Sequence, residues 1–579
     1  MNVLLPRLRF LSACLVLSAV SATACQQAAP AKPAAPAADT NAWFSSGVPA
    51  NRSVVRSTHG MVASSQPLAS QVGLDVLKKG GNAVDAAIAM AAVLNVTEPN
   101  MTGVGGDALM MIRMAKTGKI EGLMGVGRAP KALDLKHFTD KGLKTMPLTG
   151  MEPITVPGAF DAWVTLLDKY GTMKLPALMA PAIDYAENGF PVAEKIAEDW
   201  APEVGKLKQT EAATKTYLLD GAAPTPGTVF VQKNLAKTLR TLSTGGRDAF
   251  YKGEIAKAIV DYVQKNGGYL SMEDFAAQKS EWVEPISTTY KGYALYEMPP
   301  STQGLTGLIL LNILEGIDLK SMENDPVRYY HTLIEAPKIA FADRNHFIAD
   351  QAFAKTPVKS LTSKDYASKR RALIDNDKAI DPPAYGDIQM GADTTYFTVV
   401  DKDRNAVSFI NSLFNAFGSG IVAGDTGLML HNRGTGFSLE PASPNKYEPG
   451  KRPFTTLVPA MVMKDGKLLM SYGVMGGDIQ TQGHAQVLIN MVERGLNLQQ
   501  AIDAPRVRYI SGKGVMMEPE LGDAVIQGLI ARGHERVLPP TGLRHRIFMG
   551  GGQAIMIDPA SGALSGASDV RKDGLALGY

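Results

Sequence analysis

Cysteine is nearly absent from this chain, which has two, Cys14 and Cys25, in 579 residues. Cys14 falls inside an apolar run that reads as a cleaved leader, so the mature chain keeps one thiol and cannot close an internal disulfide. Charge of one sign is also scarce. The net charge is +3, and losing Arg7 and Arg9 with the leader lowers it to +1. No basic run accompanies it, so no nucleic-acid partner is expected. The eight histidines show no His-Glu-x-x-His or comparable ligand spacing, so neither a metal nor another cofactor is expected. A Gly-x-Ser-x-Gly elbow is missing, because Phe417 stands where the first glycine before Ser419 would be. Gly103-Val104-Gly105-Gly106 lacks the third glycine and the distant acidic residue of a dinucleotide loop, and reads as a tight turn between helix and strand. No repeat of fixed period is present.

The amino terminus reads as an export signal. Arg7 and Arg9 precede an apolar run, 10–24, too short to span a bilayer comfortably. Residues 1–24 are therefore expected to be a signal peptide. Ala22-Thr23-Ala24-Cys25 resembles a bacterial lipobox, although Ala22 stands where a larger aliphatic residue is usual. Lipidation at Cys25, followed by an Ala/Pro-rich tether over 25–57, would give a membrane-anchored periplasmic protein. Cleavage after Ala24 would instead release a soluble product. A membrane is expected as a partner only through that anchor. The same features suit a periplasmic solute-binding lipoprotein, the non-enzymatic alternative.

At 579 residues and 45% hydrophobic content, the chain can bury a large core, with two domains as the default. Helical periodicity is read over 71–95, broken at Gly80-Gly81, and over 305–315, 327–346, 484–495 and 497–504, with 163–268 helix-rich. Strands are read over 109–113, 120–124 and 290–297, and strands dominate 394–472.

One hairpin carries more chemistry than the rest. Asp393-Thr394-Thr395-Tyr396-Phe397-Thr398-Val399-Val400 reads as a strand, Asp401-Lys402-Asp403-Arg404-Asn405 as a polar turn, and 406–413 as the returning strand. Folding about Asp403 sets Val400 opposite Ala406 and Thr394 opposite Ser412, within reach of a hydroxyl–hydroxyl hydrogen bond. A threonine heading a strand, with a hydroxyl across from it, suits an N-terminal nucleophile. A cut after Asp393 would free its α-amine to act as general base. Threonine is equally an ordinary strand former, so the hairpin alone leaves both readings open. The adjacent glycines Gly476-Gly477 let two backbone N–H groups point at a developing oxyanion, though such pairs also mark plain turns.

From about Thr58 to Tyr579 the order of motifs resembles the γ-glutamyltransferases (glutathione hydrolases). Gly60-Met61-Val62-Ala63, Gly80-Gly81-Asn82-Ala83, Glu98-Pro99 and Gly103-Val104-Gly105-Gly106 come first. Val156-Pro157-Gly158, Pro299-Pro300-Ser301-Thr302-Gln303-Gly304 and Ala342-Asp343-Arg344 follow, and after the threonine come Gly418-Ser419-Gly420, Lys451-Arg452-Pro453, Gly476-Gly477 and Gly566-Ala567-Ser568-Asp569. The resemblance implies an α+β fold, the four-layer αββα sandwich of the N-terminal nucleophile hydrolases. It implies one interleaved body formed by a large subunit, 58–393, and a small catalytic subunit, 394–579, cut from one precursor between Asp393 and Thr394. It also implies hydrolysis or transfer of γ-glutamyl groups from glutathione and related small amides, through an acyl-enzyme on Thr394. Ser412 would assist the nucleophile, Gly476-Gly477 would form the oxyanion hole, and Thr455 and Thr456 would replace the Ser-Ser pair that bonds the substrate α-carboxylate.

The expected pocket departs from that family in several places. Val126 stands where the α-carboxylate arginine belongs, with Arg128 two positions away, and Phe414 replaces an asparagine. Arg433 and Gly436 replace the polar and acidic groups that hold the α-ammonium, which a guanidinium serves poorly. The loop 440–450 is shorter than a typical lid. γ-Glutamyl hydrolysis or transfer stays the leading reading; in the alternative, Arg433 and Arg128 grip a plain carboxylate, as in glutaryl-type acylases or oxamate amidohydrolases of the same superfamily. A surface charge at Arg433 is the alternative.

Overall fold

The computed structural model describes residues 52–381, 394–540 and 543–579. The leader, Cys25 and Asp393 lie outside them. Two seven-stranded antiparallel sheets form the centre. Sheet one runs, edge to edge, Val55–Ser57, Leu564–Ser568, Gly551–Ile557, Lys467–Met475, Ala460–Lys464, Tyr293–Glu297 and Ile286–Tyr290. Sheet two runs Leu575–Gly578, Met61–Ser64, Thr395–Val400, Ala406–Ser412, Asp107–Arg113, Ile120–Gly125 and Glu281–Val283. Segments from both sides of the expected cut therefore alternate within one sheet.

Strand periodicity explains the layering. In the hairpin, Tyr396, Val400, Ala406 and Ile410 point at sheet one and pack with Met461, Met475 and Ile555. Their neighbours Phe397, Val399, Val407 and Phe409 point the other way, onto helices Pro67–Lys78, Ala83–Thr97 and Ala159–Tyr170. Phe397 and Phe409 stack with ring centroids 4.5 Å apart. The outer face of sheet one packs on helices Gly304–Glu315, Pro326–Phe347 and Ile479–Val492. With both faces covered, these strands are apolar on both sides, and the architecture is the αββα sandwich. The few hydroxyls between the sheets are paired: Thr398 Oγ1 lies 2.7 Å from Ser471 Oγ, and Tyr396 Oη 2.6 Å from Ser408 Oγ.

Two expectations need correction. Residues 290–297 do not form one strand. They belong to a hairpin of Ile286–Tyr290 and Tyr293–Glu297, closed by Lys291 (φ 48°) and Gly292 (φ 82°). Positive φ at both turn residues matches the twist of the flanking strands, but Tyr-Lys-Gly-Tyr offers a weak turn signal. Val55–Ser57, read as the end of the tether, pairs with Leu564–Ser568 as an edge strand. The break at Gly80-Gly81 does separate two helices, the second opened by an Asn82–Asp85 capping box. Among the described residues, no helix is long and apolar enough to cross a membrane.

His331, Glu335 and His534 converge as a buried group that histidine spacing did not reveal. Lys338 Nζ, 2.7 Å from Glu335 Oε1, supplies the positive charge there. The cluster ties down the chain before the expected cut: His331 Nε2 donates to Asp375 O (2.7 Å) and Lys338 Nζ to Ile380 O (3.0 Å).

Candidate active site

The hairpin has the register its sequence implies. Thr395 pairs with Asn411 and Val400 with Ala406, which carries Thr394 opposite Ser412. Their hydroxyl oxygens lie 3.2 Å apart, both buried. Thr394 itself precedes the strand, which begins at Thr395. Ser412 Oγ accepts the Phe414 N–H at 2.7 Å, which fixes its rotamer. Gly106 makes room for this strand, since a Cβ there would lie 2.3 Å from Ser412 O. The glycine run is the turn between helix Ala83–Thr97 and strand Asp107–Arg113 that its sequence suggests, and it also packs closely on Ser412.

Sheet packing brings the strand that leads into the glycine pair against the hairpin. Tyr396 lies against Gly473, where a Cβ would be 2.5 Å from the ring, and Thr398 meets Ser471. Each step of two along one strand is matched by a step of two back along the other. Extending that alternation by one more step points from Thr394 toward Met475, the residue before Gly476. Gly476 (φ 124°) and Gly477 (φ 66°) adopt conformations that disfavour a side chain, and helix Ile479–Val492 starts just beyond them. That helix end adds its own partial positive charge. Gln303 Nε2 donates to Gly477 O (3.0 Å) and Thr456 O (2.8 Å), tying the glycine pair to the threonine pair.

A cavity of about 400 Å³ is lined by Phe414, Thr456, Asp478, Lys144, Glu440 and Asn445 among others. Phe414 and Asp478 link it in sequence to Ser412 and Gly477, while Thr394, Ser412, Gly476, Gly477 and Arg433 are not among its lining residues. Thr456 Oγ1 is buried and has no partner among the described residues. Thr455 is buried as well, with its Oγ1 accepting Leu457 N–H at 3.3 Å.

Arg433 is not a surface charge. It is 0% exposed, its Nε 3.1 Å from Asp107 Oδ2, while Nη1 and Nη2 have no hydrogen-bond partner among the described residues. Its guanidinium carbon lies 4.7 Å from the Phe414 ring centroid. Asp107 pairs in register with Ser412, so this guanidinium stands beside the hairpin end. Burial pushes the Asp107 carboxyl up, but His431 and Arg433 outweigh burial and hold it below its ordinary value. Gly436 has no space for a side chain, because a Cβ would lie 2.2 Å from Phe454 O.

Arg128 is placed elsewhere. It bridges Glu281 (3.2 Å) and Asp350 (3.4 Å) and donates to Gly450 O (3.1 Å), and it is not among the cavity-lining residues. Several site residues were missed from the sequence. Asp107 opens a strand like any polar cap, and its partners His431 and Arg433 are far away in the chain. Arg344, Gln303 and Asp478 each stand in or beside a recognised motif, yet nothing local marks them as cavity residues.

Comparisons with known proteins identify the family. The family model described as Gamma-glutamyltranspeptidase matches residues 69–579. The chain is 41% identical over 536 residues to the Glutathione hydrolase-like YwrD proenzyme of Bacillus subtilis (strain 168), covering 91% of this chain and 100% of that protein. It is 37% identical to the Glutathione hydrolase proenzyme of Escherichia coli (strain K12), covering 91% and 93%. The solved structure of cephalosporin acylase from Bacillus halodurans superposes with a TM-score of 0.86 at 41% identity, covering 92% of this chain and 98% of that one. These matches displace the solute-binding reading. The chain is an enzyme that belongs to the gamma-glutamyltranspeptidase family of N-terminal nucleophile hydrolases.

Proposed function

We propose that this protein is a self-cleaving amidase that uses Thr394 as an N-terminal nucleophile on amides whose acyl group bears a carboxylate without a neighbouring ammonium, as in glutaryl amides or oxamate. One observation carries the acyl assignment: the buried Arg433 guanidinium beside the hairpin, with two nitrogens lacking partners. A buried guanidinium stays charged and presents a flat fork matched to a carboxylate. At the two positions where the family holds the α-ammonium no acid is available, since Arg433 stands at one and is paired with Asp107, and Gly436 at the other has no space for a side chain.

The Thr394 hydroxyl attacks the amide carbonyl, passes its proton to its own α-amine and expels the amine product. Water then cleaves the resulting ester. Ser412 orients and polarises the attacking hydroxyl, while the Gly476 and Gly477 N–H groups receive the oxyanion. Maturation uses the same hydroxyl and Ser412: Thr394 Oγ1 attacks the Asp393 carbonyl, the acyl group shifts from N to O as the peptide bond breaks and frees the α-amine, and water cleaves the resulting ester.

Conventional γ-glutamyl hydrolysis or transfer is the second reading. It is favoured by the Thr456 hydroxyl on the cavity wall, where the family holds an α-carboxylate, and by relatives named glutathione hydrolases. Kinetics on paired glutaryl and γ-glutamyl anilides separate the two. The proposal expects kcat/KM at least about tenfold higher for glutaryl, since a charge-assisted hydrogen bond contributes on the order of 1.5–3 kcal/mol. Arg433→Gln should erase that preference. A γ-glutamyl preference surviving in both proteins would overturn it. Export and lipidation at Cys25 complete the proposal, and labelling with radioactive palmitate tests that part, an unlabelled mature protein sinking it.

A further inference from the structure

Arg344 is the buried guanidinium that lines the cavity, and it is held on every side but one. Its Nη1 donates to Asp478 Oδ1 (2.7 Å) and Gln303 Oε1 (3.1 Å), and its Nε to Asn345 Oδ1 (3.1 Å). Phe341 and Phe454 flank it, their ring centroids 4.0 and 5.3 Å from the guanidinium carbon. The group therefore cannot swing, and its remaining edge has a fixed direction. That edge, Nη2, has no partner among the described residues, while Arg344 is 2% exposed and lines the cavity. A buried donor without an acceptor is costly to keep unless a ligand supplies one. Lys144 and His346 line the same cavity from exposed positions, together with the carboxylates Glu440 and Asp478. Asp478 offsets part of the Arg344 charge but leaves Nη2 unfilled.

We propose that Arg344 Nη2 is a second carboxylate seat, separate from Arg433, which reads a further carboxylate on the substrate. The inference rests on the amidase reading above and deepens its specificity. The carboxylate belongs either to the departing amine or to a branched acyl group. Both sources present the same chemistry to the guanidinium, and substrate pairs distinguish them.

Four amides suffice: glutaryl-4-aminobenzoate against glutaryl-4-aminobenzamide for the leaving side, and an acyl group with one or two carboxylates on a common anilide for the acyl side. Within each pair the ratio of kcat/KM is compared, so general damage to the enzyme cancels. The wild type should prefer the extra carboxylate about tenfold or more in one pair, expressed chiefly in KM. Arg344→Lys should reduce that ratio and Arg344→Gln abolish it. Because Arg344 also braces the Gly477 loop, either variant is liable to misfold. Asp478→Asn guards against this, since it keeps an acceptor for Nη1 but removes the neutralising charge, and should raise the ratio. Ratios near one in both pairs for the wild type, or a ratio unmoved in Asp478→Asn, overturn the inference. The Arg433→Gln result is read on the glutaryl/γ-glutamyl comparison, so the acyl proposal and this one fail separately.

Discussion

Ser412 and Thr394 meet at 3.2 Å because two strands fold about Asp403 in a register set by their own alternation. That part of the site was legible, since a one-residue slip would move every core side chain to the wrong face. Ser412→Ala should slow both self-cleavage and turnover, contributions for which about 10²–10⁴-fold is typical, while Ser412→Thr should keep both. Time courses of cleavage on denaturing gels, with steady-state rates, check this. Full-speed behaviour of the alanine variant would remove Ser412 from the mechanism. The burial of Arg433 was not legible, because Asp107 and His431 lie far from one another in the chain and meet only in the fold. Glu98 is a second case. It accepts hydrogen bonds from Ser65 (2.9 Å) and Thr395, the residue after the nucleophile. Burial lifts its carboxyl from 4.5 to about 7, against the pull of those two hydroxyls. The folded chain thus holds a proton there that the unfolded chain releases, so stability from this group falls as pH rises from about 4.5 to 7. Glu98→Gln should flatten that fall by on the order of 3 kcal/mol. Melting curves at pH 5 and pH 8 test it, and an equal pH response in both proteins would count against it.

Among the elements, long periodic helices and the two-faced apolar strands were readable from sequence. The hairpin at Lys291-Gly292 was not, because Lys-Gly between Tyr290 and Tyr293 is a weak turn signal. Contact between elements was also hidden. Gly473 is the point where the strand that leads into the glycine pair passes the Tyr396 ring. Gly473→Ala should push the sheets apart at that crossing and cost about 1–3 kcal/mol. It should also lower kcat more than it raises KM, by moving Gly476-Gly477 relative to Thr394. Chemical denaturation and steady-state kinetics would show both effects. Unchanged stability with normal turnover would mean the crossing does not position the site.

At the scale of the molecule, strand Thr395–Val400 lies between Met61–Ser64 and Ala406–Ser412, so sheet two needs chain from both sides of the expected cut. Length alone suggested two domains, but no such boundary divides these sheets. The two mature chains should therefore elute as one particle from gel filtration and separate only in denaturant. Elution as two separate species in native buffer would contradict that. The cut itself decides the central claim. Intact mass spectrometry of the purified, denatured protein should give two chains, the smaller having the mass of residues 394–579 with threonine first, and Thr394→Ala should give one uncut, inactive chain. A single intact chain in an active wild-type enzyme, or a small chain beginning at any other residue, would contradict the account.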